Sequence, residues 1–365
     1  MQCFLVKKIE RKFQVLGKIH MAFIDQFVGQ FNEEQKQMEL DLLDRKIMYL
    51  LSRNARFSES SIAKALKISK EVVHYRIKRL QKKGFLHGFI TVLDEEKLGL
   101  SVYRINLTLY PSYSFQRLLD SLLADSRVTN VIHLNSRLDI QLTATTSDAR
   151  EFDRFFDTFL HEHHTLIKDY TISTFLEEHY LGLDFLLENT AEQPHISERK
   201  GSAFQREFAE RKRDQYSLKL DEKDHQILNK IVMNSRLPIL QLSQSLGLAP
   251  TSVKKRLSTM VTAGVIKHFI PYASFSFLGY HWYFLHLRTK NVKQPSFLEF
   301  LRQHPNIIWL SRHMGKWNYH LSIFTRNNTE FNQVVQEVQG HLGDSLIDYS
   351  SSTVFKQYKY RPRVT

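Results

Sequence analysis

Between positions 40 and 84, apolar residues recur at three- and four-residue steps in three short blocks separated by polar turns. Leu43, Ile47, Leu50 and Leu51 give a first helix its buried face, and Ile62, Ala63 and Leu66 do the same for a second that starts at Ser58. A turn at Lys67-Ile68-Ser69 leads to a third helix, with Val73, Ile77 and Leu80 inward and Ser69 as its N-cap. Gly84 ends that helix, where a residue without a Cβ tolerates the left-handed backbone. From Phe85 to Val92 the pattern reads as a strand. Further strands are then expected near 100–109, 128–134, 139–145 and 167–175, with helices near 114–124 and 148–161. That order is the split βαβ, ferredoxin-like arrangement.

The whole pattern returns at an offset of 180 residues. Leu40, Asp41, Asp44 and Ile47 fall on Leu220, Asp221, Asp224 and Ile227; Val73 and Arg76 fall on Val253 and Arg256; Phe89 and Ile90 fall on Phe269 and Ile270. So long an ungapped register marks a duplicated module, with a period too long for a solenoid turn. The second set of αβ elements is expected near 280–289, 296–303, 306–312, 317–325, 328–342 and 346–355. The fold class is therefore α+β: two tandem modules, each an N-terminal winged helix-turn-helix followed by a ferredoxin-like βαββαβ domain. The boundaries expected are 40–92 and 93–183 for the first module, and 218–272 and 273–365 for the second. Residues 184–217, charged and poor in apolar side chains, read as a solvated linker. Residues 1–39 read as an extension whose Leu16, Ile19, Phe23, Phe27 and Phe31 form an amphipathic helix.

Charge follows this organisation. The chain of 365 residues carries a net +13. Residues 40–90 hold 12 Lys and Arg against 4 Asp and Glu, whereas 93–183 hold 8 against 14. Residues 218–270 return to a surplus, 8 against 3. A basic excess confined to helix-turn-helix segments is the footprint of a polyanion, here double-stranded DNA. The one cysteine, Cys3, excludes a disulfide framework and a Cys-based zinc site. No apolar run reaches the roughly 18 residues of a membrane span, so a cytoplasmic, membrane-free protein is expected.

The exposed side of the third helix carries the candidate chemistry. Ser69, Lys70, Glu71, His74 and Tyr75 stand in its N-terminal half, where donors reach base edges; Lys78, Arg79, Lys82 and Lys83 suit phosphates. In the second copy the corresponding face offers Thr251, Lys254 and Lys255. Ala249 replaces the capping serine there, partly offset by Pro250 at the first helical position. No Gly-rich phosphate loop, nucleophile elbow or His-Glu-x-x-His motif is present, and His161, His163 and His164 do not share a helix face, so neither cofactor nor metal is expected.

The runs Leu40-Asp41-x-x-Asp44-x-x-Ile47, Asn54-Ala55-Arg56-x-Ser58, Ile62-Ala63-x-x-Leu66-x-Ile68-Ser69, Val73-x-x-Arg76-Ile77-x-x-Leu80 and Gly84-Phe85-Leu86-x-Gly88-Phe89 resemble those of the Lrp/AsnC transcriptional regulators. The resemblance covers roughly 40–183 and 218–355. It implies a sequence-specific DNA-binding regulator, dimerised through its αβ domains, with Arg76 and Arg256 serving the DNA backbone or bracing the motif. It also implies an amino-acid effector loop of the form Gly-x-x-Asp. The second copy reads Gly315-Lys316-Trp317-Asn318 there, which makes those four residues the candidate loop, while Ser136-Arg137-Leu138-Asp139 of the first copy lacks the glycine. Duplication predicts an intrachain pseudo-dimer with two heads reading unlike half-sites; further pairing into a homodimer would give four heads. The rival class is an enzyme, since the tetrapyrrole decarboxylases resemble the same paired unit. Arg312, His313, Trp317 and His320, or His133 and Arg137, would then meet a porphyrin's carboxylates.

Overall fold

The computed structural model describes residues 38–111, 115–136, 138–187, 193–196, 218–290 and 295–364. The expected N-terminal helix and most of the expected linker lie outside them, as does Arg137. The first head is a three-helix unit: α1 Leu42–Arg53, α2 Glu59–Leu66 and α3 Lys70–Lys82. Its helices start where side-chain oxygens satisfy otherwise unpaired N–H groups. Asp41 accepts from the Asp44 amide, Ser58 from Ser61 and Ser69 from Val72. Strand β1, Leu86–Leu93, follows. The first αβ domain contains β2 Ser101–Leu109, α4 Phe115–Ala124, β3 Val128–Asn135, β4 Ile140–Thr146, α5 Ala149–His163 and β5 Ile167–Tyr180.

The second module repeats the order with α6 Glu222–Ile231, α7 Ile239–Leu246, α8 Pro250–Thr262 and β6 Ile266–Ala273. Its αβ domain contains β7 His281–Thr289, α9 Pro295–Gln303, β8 Ile307–Met314, β9 Tyr319–Thr325, α10 Asn328–Leu342 and β10 Leu346–Tyr360. The two modules are interlocked. β1 and β6 pair antiparallel, with Ile90 opposite Ile270, and form a two-stranded sheet that joins the heads. The remaining eight strands close a barrel in the order β10-β3-β4-β2-β5-β8-β9-β7.

Closure depends on the last strand of each module. The first half of β5 pairs with β2 of its own module, and its second half, from Thr174 to Tyr180, runs along β8 of the other. β10 does the same with β7 and then β3. Both strands outlast the expected ends at 175 and 355, and the crossing halves leave neither sheet with a free edge. Apolar side chains that face the helices form one core per αβ domain: Ile105, Leu107 and Phe156 in the first, Leu285, Leu321 and Val338 in the second. A third core runs continuously through both heads. It takes in Phe185, Leu186 and Leu187, which are therefore not part of a solvated stretch as expected from 184: a 3-10 turn at Asp184–Leu186 packs these residues, and Arg53 pairs with Asp184 at 2.5 Å.

The sequence after 355, with Lys356, Lys359, Arg361 and Arg363, reads as a basic C-terminal tail of the second αβ domain, but it is held in place. Lys359 donates to the Leu123 and Asp125 carbonyls at the end of α4, and Arg363 pairs with Glu151 on α5. Burial pushes the Lys359 ammonium down to about 8, with Asp125 opposing.

Candidate functional site

The recognition face is built from α3 against α2. Val73, Ile77 and Leu80 are buried against the other helices, which turns Lys70, Glu71, His74, Tyr75, Lys78, Lys82 and Lys83 to solvent. Tyr75 is 64% exposed, a large ring with no packing role. His74 meets Glu59 of α2 through Nδ1 at 3.1 Å. Glu71 sits in the first turn, its carboxyl held below the usual range by its own backbone N–H and the Ser69 hydroxyl. Ser69 itself is committed as the cap, its Oγ 3.3 Å from the Val72 amide.

The arginines of this helix look inward instead. Arg76 spans Asp41 and Asp44 at 2.6 and 2.8 Å, and Arg79, expected among the phosphate cations, donates to the other oxygen of Asp44. Asp44 is fully buried, so both arginines neutralise a carboxylate that would otherwise be stranded in the head's core. The second head repeats one of these braces: Arg256 spans Asp221 and Asp224 at 2.7 and 2.8 Å. On α8 the side chains of Thr251, Lys254 and Lys255 are exposed as expected, and Ala249 caps without a side-chain hydrogen bond. The first recognition face thus presents four exposed lysines, Lys70, Lys78, Lys82 and Lys83, and the second two.

The two heads are held in fixed relation by reciprocal contacts related by the duplication. The Ala55 amide donates to the Phe269 carbonyl and the Ser235 amide to Phe89, each at 2.8 Å. Arg56 donates to the Ser235 and Leu237 carbonyls while lying over Phe269; Arg236 donates to the Ala55 carbonyl and lies over Phe89. Burial lowers both guanidinium groups, Arg56 to about 10.

The candidate effector loop is the β8–β9 turn. Gly315 is required by contact: a Cβ there would lie 2.7 Å from Ser173 Cβ on β5. Asn318 accepts from the Thr289 amide at 2.7 Å, as Asp139 does from Leu109 in the first module. Lys316 lies over the Trp317 ring at 5.0 Å. Gly315 and Asn318 are therefore spent on the turn and on its seat against the first module.

Of the alternative set, His313 and His320 converge inside the barrel; Arg312 does not, pairing with Glu177 at 2.6 Å. Trp317 stands beside His286, with ring centroids 6.1 Å apart, and His133 packs against Phe115 and Phe355. Two residues that the sequence pattern left unmarked join the converging pair. Arg104 from β2 donates to His313 Nε2 at 2.9 Å and to Ser311 Oγ at 3.3 Å, and His286 from β7 meets His320 at 3.1 Å. For Arg104 a signal was present: Arg104, Asn106 and Thr108 alternate with Tyr103, Ile105 and Leu107 along β2, so one face of that strand is polar, whereas His286 shares its face of β7 with Trp282 and Phe284. Burial, and after it Arg104, drives His286 down to about 3 and depresses His313 and His320 strongly, so all three rings are neutral.

Comparison with known proteins agrees with this layout. A winged helix-turn-helix DNA-binding family matches residues 40–86 and again 220–267. The Lrp/AsnC ligand binding domain matches residues 283–364. An uncharacterised HTH-type transcriptional regulator of Pyrococcus furiosus is 32% identical over 34% of this chain and 83% of its own length, which makes it about one module long. The regulatory protein AsnC of Haemophilus influenzae is 26% identical over 31% of this chain and 75% of its own. Over both modules, the fold is similar to the crystal structure of the siroheme decarboxylase NirDL: TM-score 0.58 at 11% identity, covering 88% of this chain and 94% of that one.

Proposed function

The chain belongs to the Lrp/AsnC family of helix-turn-helix transcriptional regulators, and we propose that it binds DNA as a single-chain pseudo-dimer whose unlike heads read an asymmetric operator. The observation that carries this reading is the β1–β6 pairing with its reciprocal Arg56 and Arg236 contacts. These fix two heads in one polypeptide, while their recognition helices differ in cap, charge and side chains. In this reading Lys78, Lys82, Lys83, Lys254 and Lys255 hold phosphates, and Lys70, Glu71, His74, Tyr75 and Thr251 face base edges. Arg76, Arg79 and Arg256 brace the motif. Selection of binding sites from random duplex DNA by the full chain tests it. Two dissimilar half-sites bound by one chain are expected; a perfect palindrome bound by two chains overturns it.

The shared fold with a decarboxylase, together with the histidines gathered in the barrel, supports a second reading as a tetrapyrrole enzyme. It is the weaker one, because a porphyrin's several carboxylates need several cations and the gathered set supplies one permanent charge, Arg104. Absorbance after mixing with an iron porphyrin decides: a stable coloured complex favours the enzyme.

A further inference from the structure

The barrel interior departs from the usual packing of two sheets face to face, in which apolar side chains interdigitate. Here most apolar side chains of both sheets are used against the helices, and the inward faces carry Arg104, Asn106, Gln141, His286, His313 and His320, all buried, beside a small apolar cluster of Ile132, Leu134, Phe284 and Val354. Some of this polarity is internally satisfied: Gln141 donates to Asn106, and Gln357 donates to Asn130 while accepting from Tyr272. Arg104 is not. Among the described residues, both of its hydrogen bonds leave from Nη1 to neutral acceptors, its buried Nε meets no partner, and no carboxylate forms an ion pair with it, Glu178 attracting it only at longer range. The remaining contact is Phe175, whose ring lies 4.6 Å from the guanidinium.

A buried guanidinium without a counter-ion in hydrogen-bond contact is costly, and such groups are otherwise paired or bound to ligand. Beside it lies a cavity of about 210 Å³ whose lining includes Arg104, Ser311, His320, Trp282, Phe284 and Val354. Arg104 also lines a larger cleft that runs past Glu95 and Lys267. Glu178 lines both spaces; its carboxyl is pushed up by burial, against the pull of Lys267 and Arg104. A metal ion is disfavoured, since Arg104 stands against the histidines and, among the described residues, no three metal-ligating side chains gather.

We propose that this lumen is a binding site for a small monocarboxylate with a flat apolar body, its carboxylate on the free edge of Arg104 and its body against Trp282 and Phe284. One permanent cation calls for one negative charge, and aromatic walls suit a planar body. The site is distinct from the β8–β9 turn and does not depend on DNA binding.

Trp282 and Trp309 both line the cavity and report its occupancy. The full chain is titrated with benzoate and 3-phenylpropanoate, and in parallel with benzamide and 3-phenylpropanamide, following tryptophan fluorescence and heat of binding. At least one carboxylate should saturate and bind tenfold or more tightly than its amide. Arg104→Met should remove that preference, yet raise the Tm of the unliganded protein, because an uncompensated buried charge is gone. Trp282→Phe should lose most of the fluorescence change while the heat persists. No saturable carboxylate binding, equal binding of acid and amide, or an Arg104→Met protein that keeps the preference each overturns the site. The acid–amide comparison stands on the wild-type chain alone, whatever the variants do.

Discussion

On the first recognition helix, cations that look alike in sequence divide by what they touch. Lys78 extends into solvent, whereas Arg79, one residue on, closes over the buried Asp44. Lys78→Ala should therefore flatten the log–log salt dependence of DNA binding by about one unit, since each phosphate neutralised contributes a slope near −0.9 on duplex DNA. Arg79→Ala should leave the slope unchanged and lower stability by about 1–3 kcal/mol, because Asp44 loses one of two charged partners and keeps Arg76. Salt titrations of both variants and their denaturant midpoints separate the roles; a flattened slope for Arg79→Ala would return it to the phosphate set. A second residue-scale outcome concerns Glu95. Burial, reinforced by Glu178 and Asp94 and opposed by Lys267, raises its carboxyl to about 7. A raised acid is bound to its proton more tightly in the folded state, so its stabilisation is full below the unfolded value near 4.5 and is lost as pH rises to about 7. Glu95 keeps part of its surface in solvent, which limits the loss to about 1–2 kcal/mol. Glu95→Gln should flatten the fall in Tm between pH 5 and 8; an unchanged profile places the titration elsewhere.

At the scale of elements, helix starts carried most of the readable information. Asp41, Ser58 and Ser69 cap the three helices of the first head, and the apolar steps that set the helices apart from the strands depend on local chain geometry alone. Ser69→Ala should cost about 0.5–2 kcal/mol of stability. The inequality of the heads also belongs here. Four exposed lysines on α3 face two on α8, so Lys78→Ala with Lys82→Ala in one chain should weaken DNA binding more than Lys254→Ala with Lys255→Ala. Equal losses in a mobility-shift titration would contradict that order. Point variants in the full chain are the right test, because separating the modules would strip β5 and β10 of half their partners. What the pattern hid was long-range pairing. Leu176 to Tyr180, with two glutamates and a histidine, looks like a solvated end, and 356–363 looks like a basic tail. Leu176 to Tyr180 and the stretch 356–360 are strand because the opposite module supplies the backbone partners, a fact that no local window contains.

For the molecule as a whole, the recognition helices were legible because their chemistry is consecutive in sequence, whereas of the lumen only His313 and His320 were marked, because Arg104, His286, His313 and His320 come from four strands of two modules. The same geometry places the lumen cavity directly beneath the heads. Ile90 of β1 and Ile270, Pro271 and Tyr272 of β6 form part of its wall, and Tyr272 reaches down to Gln357 at 2.7 Å. These are the paired strands that fix one head against the other. A carboxylate seated on Arg104 therefore packs against the element that sets the spacing of the two recognition helices, and any shift of that element changes how well both fit their half-sites at once. Binding linkage then imposes a strict condition: if the carboxylate changes DNA affinity by some factor, DNA must change carboxylate affinity by the same factor. For coupling of about 1–3 kcal/mol the factor is roughly 5–150. Measuring the selected operator's Kd with and without saturating 3-phenylpropanoate, and the carboxylate's Kd with and without saturating operator, should give matching ratios, and Arg104→Met should bring both to one. A ratio of one in the wild-type chain would mean that the wings are rigid to the occupancy of the lumen, and that the site acts on something other than DNA.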